Sequence, residues 1–459
     1  MTAFSSSQLV TWTGGRWTAP PVQPLTGFTM DSRQLRPGQV FVALRTAKRD
    51  GHDFLPQAAA AGAGAALVAS ANPALALPQL VVTDPLAAFQ TIAREHRSEF
   101  HGTVVGVTGS VGKTSTKDLL TVLLGGAPGV LATEGNLNNH IGVPLTLTRL
   151  DPAVHRAAVI EAGINAPGEM ATLAAMIEPD HAVVTLVAPA HLEKLGAIEN
   201  VAAEKATLPA FTRRGGLQVF PVSCWAFEEF QLLANPLILV PEQEDEVCVT
   251  GRTVKFGVVQ RPERTELKLD GRRTFNLRRV SGGMAQNTAL ALALASELGV
   301  DDATLQARLE RWTPSKWRGE LRQSGAATVY CDFYNANPAS MSDAIDAFNE
   351  MVGEDRPRLY VLGCMEELGA EAAMFHHALG RALRLRPQDR AFVIGDHAAA
   401  VCAGATEAGR PAGQVQAVNA IEPVRAVLAN FTGSVFLKGS RRYQLETLLE
   451  PAQPVTAHA

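Results

Sequence analysis

The sequence predicts an α/β protein of three units, two of them built on parallel sheets. Three observations predict this. Short apolar runs alternate with stretches of helical spacing over most of the chain, the signature of strands joined by crossover helices. A glycine-rich loop at Thr108–Thr114 joins one such strand to one such helix. The chain has 459 residues, and about 150 residues per domain makes three units the natural count.

In the first unit, Val40–Leu44 reads as a strand after the turn Pro37-Gly38. Pro56–Gly64 reads as a small-residue helix, and Ala66–Ala69 and Leu80–Thr83 as strands. The character changes near His101-Gly102. Thr103–Thr108 is an apolar strand, and Ser115–Leu124 carries leucines at helical spacing. Ala157–Ile160 and Ala182–Val187 are further strands. From Gly251 to Val280 the pattern turns polar and alternating, as in antiparallel pairing, and an Ala-rich helix follows at Ala285–Leu298. Trp312–Arg318, with Pro314, reads as a linker and hinge. Beyond it, strands at Thr328–Asp332, Leu359–Leu362, Ala391–Ile394 and Ser434–Leu437 alternate with helices. The expected boundaries are 1–102, 103–312 and 313–459.

Composition narrows the function. Lys+Arg total 41 and Asp+Glu 45, a net charge of −4, which gives no support for a nucleic-acid-coating surface. The hydrophobic share of 46% supplies ample cores and excludes a mainly disordered chain. The five cysteines are odd in number and form no CxxC, which points to a reducing compartment. No signal peptide is visible at Met1–Val10. The longest apolar run, Ala58–Ala71, is shorter than the roughly 18 residues a membrane span needs. A cytoplasmic protein is expected, without nucleic-acid or membrane partners.

Thr108-Gly-Ser-Val-Gly-Lys-Thr114 is the sharpest local pattern. Backbone N–H groups of Gly109, Ser110, Val111 and Gly112, with the helix start at Ser115, would cradle anionic oxygen. Lys113 would reach the outer phosphates, and the Thr114 hydroxyl would ligate Mg²⁺. Metal sites of this type also need polar ligands at neighbouring strand ends. Glu161 ends one strand and His191 follows another. On position alone, Glu161 is a metal ligand or a solvated loop acid, and His191 a ligand or an ordinary loop histidine.

Four segments together resemble the central domain of the Mur ligases. They are Thr108–Thr114, Glu134-Gly-Asn-Leu-Asn-Asn-His-Ile-Gly-Val-Pro144, Glu161-Ala-Gly-Ile-Asn-Ala-Pro-Gly-Glu169 and His191-Leu-Glu193. Tyr334-Asn-Ala-Asn-Pro338, Gly363-Cys-Met-Glu-Glu-Leu-Gly369 and Lys438-Gly-Ser-Arg441 resemble the third domain of the member that joins D-alanyl-D-alanine to UDP-N-acetylmuramoyl-tripeptide. Asp31-Ser-Arg33, Phe41-Val-Ala-Leu44 and Asp50-Gly-His52 are similar to its UDP-binding domain. The resemblance runs in order over nearly the whole chain.

It implies a UDP-substrate domain, a central P-loop ATPase domain and a C-terminal Rossmann-like ligase domain. It implies an ATP-dependent ligase acting through an acyl phosphate in peptidoglycan precursor synthesis, as a monomer. ATP would contact the phosphate loop, Asn287 at the adenine, Asp332 at the ribose and Arg318 at the linker. Two Mg²⁺ ions would be held by Thr114, Glu161, His191 and Lys205, the lysine as a carbamate. Lys113, His191 and Lys205 would carry the catalytic load. Ser32, Arg33, Asn138, Asn139, Asn335, Asn337 and Lys438 would meet the other substrates.

The chain departs from the family pattern at Cys331, Phe333, Cys364 and Ala162. Cys331 and Cys364 end two strands expected to be neighbours, and read either as an oxidation-sensitive pair or as independent small residues. Rival functions are a sister ligase with another amino acid, a non-catalytic ATP-binding homologue, and a P-loop motor. The Tyr334–Pro338 motif opposes the first, the intact Lys113, Glu161, His191 and Lys205 the second, and the shortened loop the third.

Overall fold

The computed structural model describes residues 3–244 and 248–449. Residues 1–2, 245–247 and 450–459 of the three expected units lie outside the described residues. Three sheets follow one another along the chain.

The first sheet holds β1 (Arg16–Trp17), β2 (Phe28–Thr29), β3 (Val40–Val42), β4 (Ala65–Val68) and β5 (Gln79–Val81) in the order β1-β5-β4-β3-β2. Only β1 runs antiparallel to its neighbour. The second sheet holds β6 (Thr103–Thr108), β7 (Val130–Ala132), β8 (Ala157–Glu161), β9 (His181–Val184), β10 (Gln218–Pro221), β11 (Pro236–Pro241), β12 (Arg252–Gln260), β13 (Arg264–Leu269) and β14 (Arg273–Arg278). Its order is β14-β13-β12-β11-β10-β9-β6-β8-β7, parallel from β7 to β12 and antiparallel in the β12–β14 meander. The third sheet holds β15 (Glu320–Ser324), β16 (Ala327–Asp332), β17 (Arg358–Gly363), β18 (Arg390–Ile394), β19 (Val415–Val418) and β20 (Ser434–Lys438) in the order β15-β16-β20-β17-β18-β19. There only β15 is antiparallel.

Each parallel sheet is covered on both faces, which is why its strands read as unbroken apolar runs. Val105 and Val107 of β6 enter one core, while Val104 enters the core on the other face. The Ala-rich segment forms the helix Gly282–Glu297, with Ala285, Ala289, Leu290, Ala291, Leu292, Ala293, Leu294 and Ala295 all buried. Small side chains let this helix lie close to the sheet. The expected linker is anchored at both ends. Trp312 is buried in the central core, Ser315 hydrogen-bonds Asp118, and the Trp317 ring lies 5.3 Å from that of Phe333.

Several elements are additional to the sequence reading. β7, β10, β11, β15 and β19 are short runs whose periodicity does not separate strand from helix. The helix Ser6–Thr13 opens on a capping box made by Ser5 and Gln8.

One expectation is overturned. Cys331 and Cys364 are not on neighbouring strands, because β20 lies between β16 and β17. Cys331 packs into the core on one face of the third sheet and Cys364 into the core on the other. Burial pushes the two thiols up to about 12 and about 11, so neither is a reactive thiolate.

Candidate active site

The phosphate loop hangs between the ends of β6 and β9. Gly109 has φ +142°, and a Cβ there would meet the Thr185 hydroxyl at 1.9 Å. Gly112 has φ +82°, and a Cβ there would meet Asn287 Nδ2 at 2.1 Å. Both positions therefore require glycine, for conformation and for space. Ser110 stitches the loop to the chain leaving β9. Its N–H donates to the Leu186 carbonyl at 2.7 Å and its hydroxyl to the Ala188 carbonyl at 2.8 Å. The Thr185 hydroxyl donates to the Val111 carbonyl from below. Lys113 opens the helix Lys113–Leu123 and folds back, its Nζ donating to the Gly109 carbonyl at 2.7 Å. Burial lowers the Lys113 pKa, against the pull of Glu161.

Beside the loop stands a buried carboxylate. Glu161 is the last residue of β8, opposite Val107 of β6, and is 2% exposed. Its Oε1 accepts from Asn138 Nδ2 at 2.7 Å, while Oε2 has no hydrogen-bond partner. The Thr116 hydroxyl and Lys205 Nζ are likewise buried and unpartnered. Leaving such groups bare costs on the order of 1–3 kcal/mol each, and the bare Glu161 oxygen, which lies on the cleft wall, points to a ligand there. Burial, followed by the charge of Lys113, holds the Lys205 pKa well below its ordinary value. Carboxylate, hydroxyl and imidazole donors suit a hard divalent cation such as Mg²⁺. Among the described residues no group of three or more His, Cys, Asp or Glu stands together as a metal cage. The donors thus fit an ion that takes further ligands from phosphate and water.

The opposite wall comes from the third sheet. Asp332 ends β16 and pairs in register with Lys438 at the end of β20. Lys438 is 1% exposed and directs its protons to Asp332 Oδ2 at 2.8 Å and to the carbonyls of Asp332 and Asn335 at 3.3 and 3.2 Å. Its ammonium is consumed locally, organising the rim instead of presenting an open cation. Asn337 caps the helix Pro338–Met351, accepting from the Ser340 N–H, and Asn335 Oδ1 accepts from the Ala336 N–H. Arg318 lies over the Tyr334 ring at 4.1 Å.

The two walls enclose a cleft of about 530 Å³. Ser110, Val111, Gly112, Lys113, Thr114 and Ser115 line its floor, with Asn138, Asn139, Glu161 and His191 beside them. Asn287, Arg318, Asp332, Asn335, Asn337 and Lys438 complete it. Gly109 and Lys205 are not among the lining residues; Lys205 is wholly buried. Asn139 serves locally, accepting from the Ile141 and Gly142 N–H groups.

Contacts across the cleft were not legible in the sequence. The Asp343 carboxylate accepts from the Gly283 N–H at 2.8 Å, at the start of the helix carrying Asn287. Burial raises the Asp343 pKa. His191 Nδ1 lies 2.5 Å from Glu367 Oε2, and the Glu193 N–H donates to the Glu367 carbonyl at 3.1 Å. The hydrogen bond to His191 holds the Glu367 carboxyl below its ordinary range. Glu367 falls inside the Gly363–Gly369 motif, so a signal existed; Asp343 had none.

Ser32 and Arg33 lie apart, in a second cleft of about 1100 Å³ between the first sheet and the segment Glu134–His155. The Ser32 hydroxyl donates to Gln57 Oε1 at 2.8 Å. Arg33 makes a two-pronged pair with Asp31, and Arg149 pairs with Glu134 at 2.6 Å on the facing wall.

Comparison with known proteins agrees with this geometry. Three family models match in order: the Mur ligase family catalytic domain at residues 24–97, the Mur ligase middle domain at 107–238 and the Mur ligase glutamate ligase domain at 317–441. The UDP-N-acetylmuramoyl-tripeptide–D-alanyl-D-alanine ligase of Escherichia coli is 31% identical, with 94% of each chain covered. The crystal structure of MurF from Acinetobacter baumannii superposes with a TM-score of 0.86 at 27% identity, covering 98% of each chain. MurF from Thermotoga maritima in complex with ADP gives 0.78 at 26% identity, covering 92% of this chain and 96% of that one. The order of its sheets, its phosphate loop and these relatives together establish that the chain belongs to the Mur ligase family.

Proposed function

We propose that the protein joins D-alanyl-D-alanine to UDP-N-acetylmuramoyl-tripeptide with ATP, through an acyl phosphate, in peptidoglycan precursor synthesis. The observation that carries the reading is the first cleft, where the phosphate loop, the bare Glu161 oxygen and the Asp332 rim face one another. The second cleft, with Ser32 and Arg33, is read as the seat of the uridine diphosphate end. The corresponding divisions are 1–102, 103–312 and 313–459. A monomer in the cytoplasm fits the reading; among the described residues no helix is long and apolar enough to cross a membrane.

A free carboxylate does not acylate an amine at neutral pH, because oxide is too poor a leaving group. In the proposed route the peptide carboxylate attacks the γ-phosphorus and ADP departs. The amine nitrogen of the dipeptide then attacks the acyl carbon, and the tetrahedral intermediate expels phosphate. Both reacting groups are anionic, so the protein's share is charge neutralisation and alignment. Lys113 exchanges the Gly109 carbonyl for phosphate oxygen. Asn287 and Asp332 align the nucleoside from two sides, and Arg318 approaches the phosphates from the linker.

Two Mg²⁺ ions, held by Thr114, Glu161, His191 and Lys205 as a carbamate, would neutralise charge on the transferring phosphoryl group. The carbamate reading rests on Lys205 Nζ, buried, unpartnered and biased towards the neutral amine. A neutral amine adds to carbon dioxide and loses a proton, which replaces a bare amine with an anionic oxygen donor. A carbamate resonance in ¹³C-bicarbonate-loaded protein, absent from Lys205→Met, tests this.

The ligase reading is tested by phosphate release with Mg-ATP, UDP-N-acetylmuramoyl-tripeptide and D-alanyl-D-alanine, each omitted in turn. Release that needs all three, with a UDP-linked pentapeptide by mass, is the expected result. Release with single amino acids but not the dipeptide would replace it with the sister-ligase reading.

A further inference from the structure

His191 of the central unit and Glu367 of the third unit meet beside the first cleft, and each is held unusually. His191 has φ +56° and Glu367 φ +62°, left-handed conformations that non-glycine residues seldom adopt. The two strained residues sit at the two ends of one hydrogen bond, Nδ1 to Oε2 at 2.5 Å. The contact is braced by backbone: the Glu193 N–H donates to the Glu367 carbonyl at 3.1 Å. The loop after β17 is also seated tightly on the His191 loop. A Cβ on Gly369 would meet Glu193 Cα at 3.2 Å and Glu193 N at 3.3 Å. His191 lines the cleft, whereas Glu367 is not among its lining residues and stands behind the ring.

A carboxylate only accepts hydrogen bonds, so an imidazole seated on it carries its proton on Nδ1. In the neutral ring Nε2 is then left with the lone pair that a metal ion requires. The carboxylate belongs to the third unit and the histidine to the central one, so the orientation exists only when the two units are together.

We infer that Glu367 is a positioning residue that fixes the tautomer and aim of His191, so that docking of the third unit onto the central unit completes the metal-binding end of the cleft. This rests on the proposed role of His191 as a metal ligand. It adds a residue outside the ligand set, on the opposite unit, that makes metal affinity depend on domain docking.

The test is Mn²⁺ binding to full-length protein with ADP, followed by electron paramagnetic resonance, for Glu367→Ala, Glu367→Gln, His191→Ala and the double variant Glu367→Ala/His191→Ala. Loss of such an outer partner weakens metal binding by roughly 10- to 100-fold, and that is the shift expected for Glu367→Ala. Glu367→Gln keeps an acceptor of the same length and is expected to retain most of the affinity. The double variant is expected to bind no more weakly than His191→Ala, because Glu367 acts only through that ring. Wild-type affinity in Glu367→Ala alongside weakened His191→Ala would overturn the inference, as would losses that multiply in the double variant. Unchanged binding in His191→Ala would overturn the ligand role of His191 and with it this inference, a failure separable from that of Glu367 alone. Matching circular dichroism spectra and thermal midpoints across the set exclude unfolding as the cause of any shift.

Discussion

The two clefts of this molecule differ in the charged groups they carry: a buried, bare carboxylate oxygen in the first and exposed, paired arginines in the second. The first keeps a polar atom bare on its wall: Glu161 Oε2 is buried with no partner, and Lys205 Nζ, wholly buried outside the lining, has none either. The second carries two arginines already paired, Arg33 on Asp31 and Arg149 on Glu134, both largely solvated. A bare buried group gains its full interaction when a ligand arrives, since no existing bond is surrendered. A paired surface arginine only exchanges one anion for another, at high dielectric. On the proposed function, the first cleft serves rate and the second recognition.

The sharpest way to break this contrast is at Lys113. Lys113→Ala removes the cation folded into the phosphate loop, and a loss of roughly 10³-fold in kcat is expected, by analogy with deletion of a preorganised charge donor. Steady-state phosphate release measures it; a loss confined to KM would mean that the lysine only binds. Gly112→Ala follows. Its φ of +82° and the 2.1 Å approach to Asn287 Nδ2 leave no room for a methyl group. ATP affinity is expected to fall by about 10²-fold, equivalent to about 2.7 kcal/mol, while affinity for the UDP substrate stays unchanged.

Lys205→Met separates function from stability. Turnover is expected to fall about 10²-fold with the loss of an anionic donor. The unfolding free energy of carbamate-free protein is expected to hold steady or to rise by up to about 1–3 kcal/mol, because a buried unsatisfied amine is removed. Denaturant titration and kinetics on the same samples read both. Arg33→Ala probes the other cleft. Its guanidinium is exposed and already paired, so KM for the UDP substrate is expected to rise only about 10-fold, a change that shrinks as salt is added. A kcat loss larger than the KM change would erase the contrast between the clefts.

The smallest effect concerns pH and neither cleft directly. Burial lowers the pKa of His96, His181 and His376 in the folded chain. Unfolded histidine takes up a proton near pH 6.5, whereas these three resist it, so the unfolded state binds more protons below that pH. The stability they contribute is present above about pH 6.5 and is lost as pH falls below it. Thermal midpoints measured between pH 8 and pH 5 are expected to decline over that window, less steeply in His96→Gln, which keeps a donor for the Leu150 carbonyl met by His96 Nε2 at 2.8 Å.

The sequence by itself determined the local chemistry. The strand–loop–helix of the phosphate site follows from an apolar run, two glycines and a helix start, interactions among neighbours along the chain. The β12–β14 meander and the buried Ala-rich helix were legible for the same reason, since periodicity and side-chain size are local properties. Strand order was not. Cys331 and Cys364 end strands that follow one another along the chain, yet β20, from the far end of the chain, inserts between them. Nor could sequence reveal that Lys438 is consumed by Asp332, that Asp343 reaches Gly283, or that Glu367 backs His191. Those pairings join residues 60 to 176 positions apart, and their partners are chosen by how sheets stack and units dock. Only the tertiary structure decides such contacts, because the hydrophobic burial that brings the units together is indifferent to which polar groups it leaves facing one another.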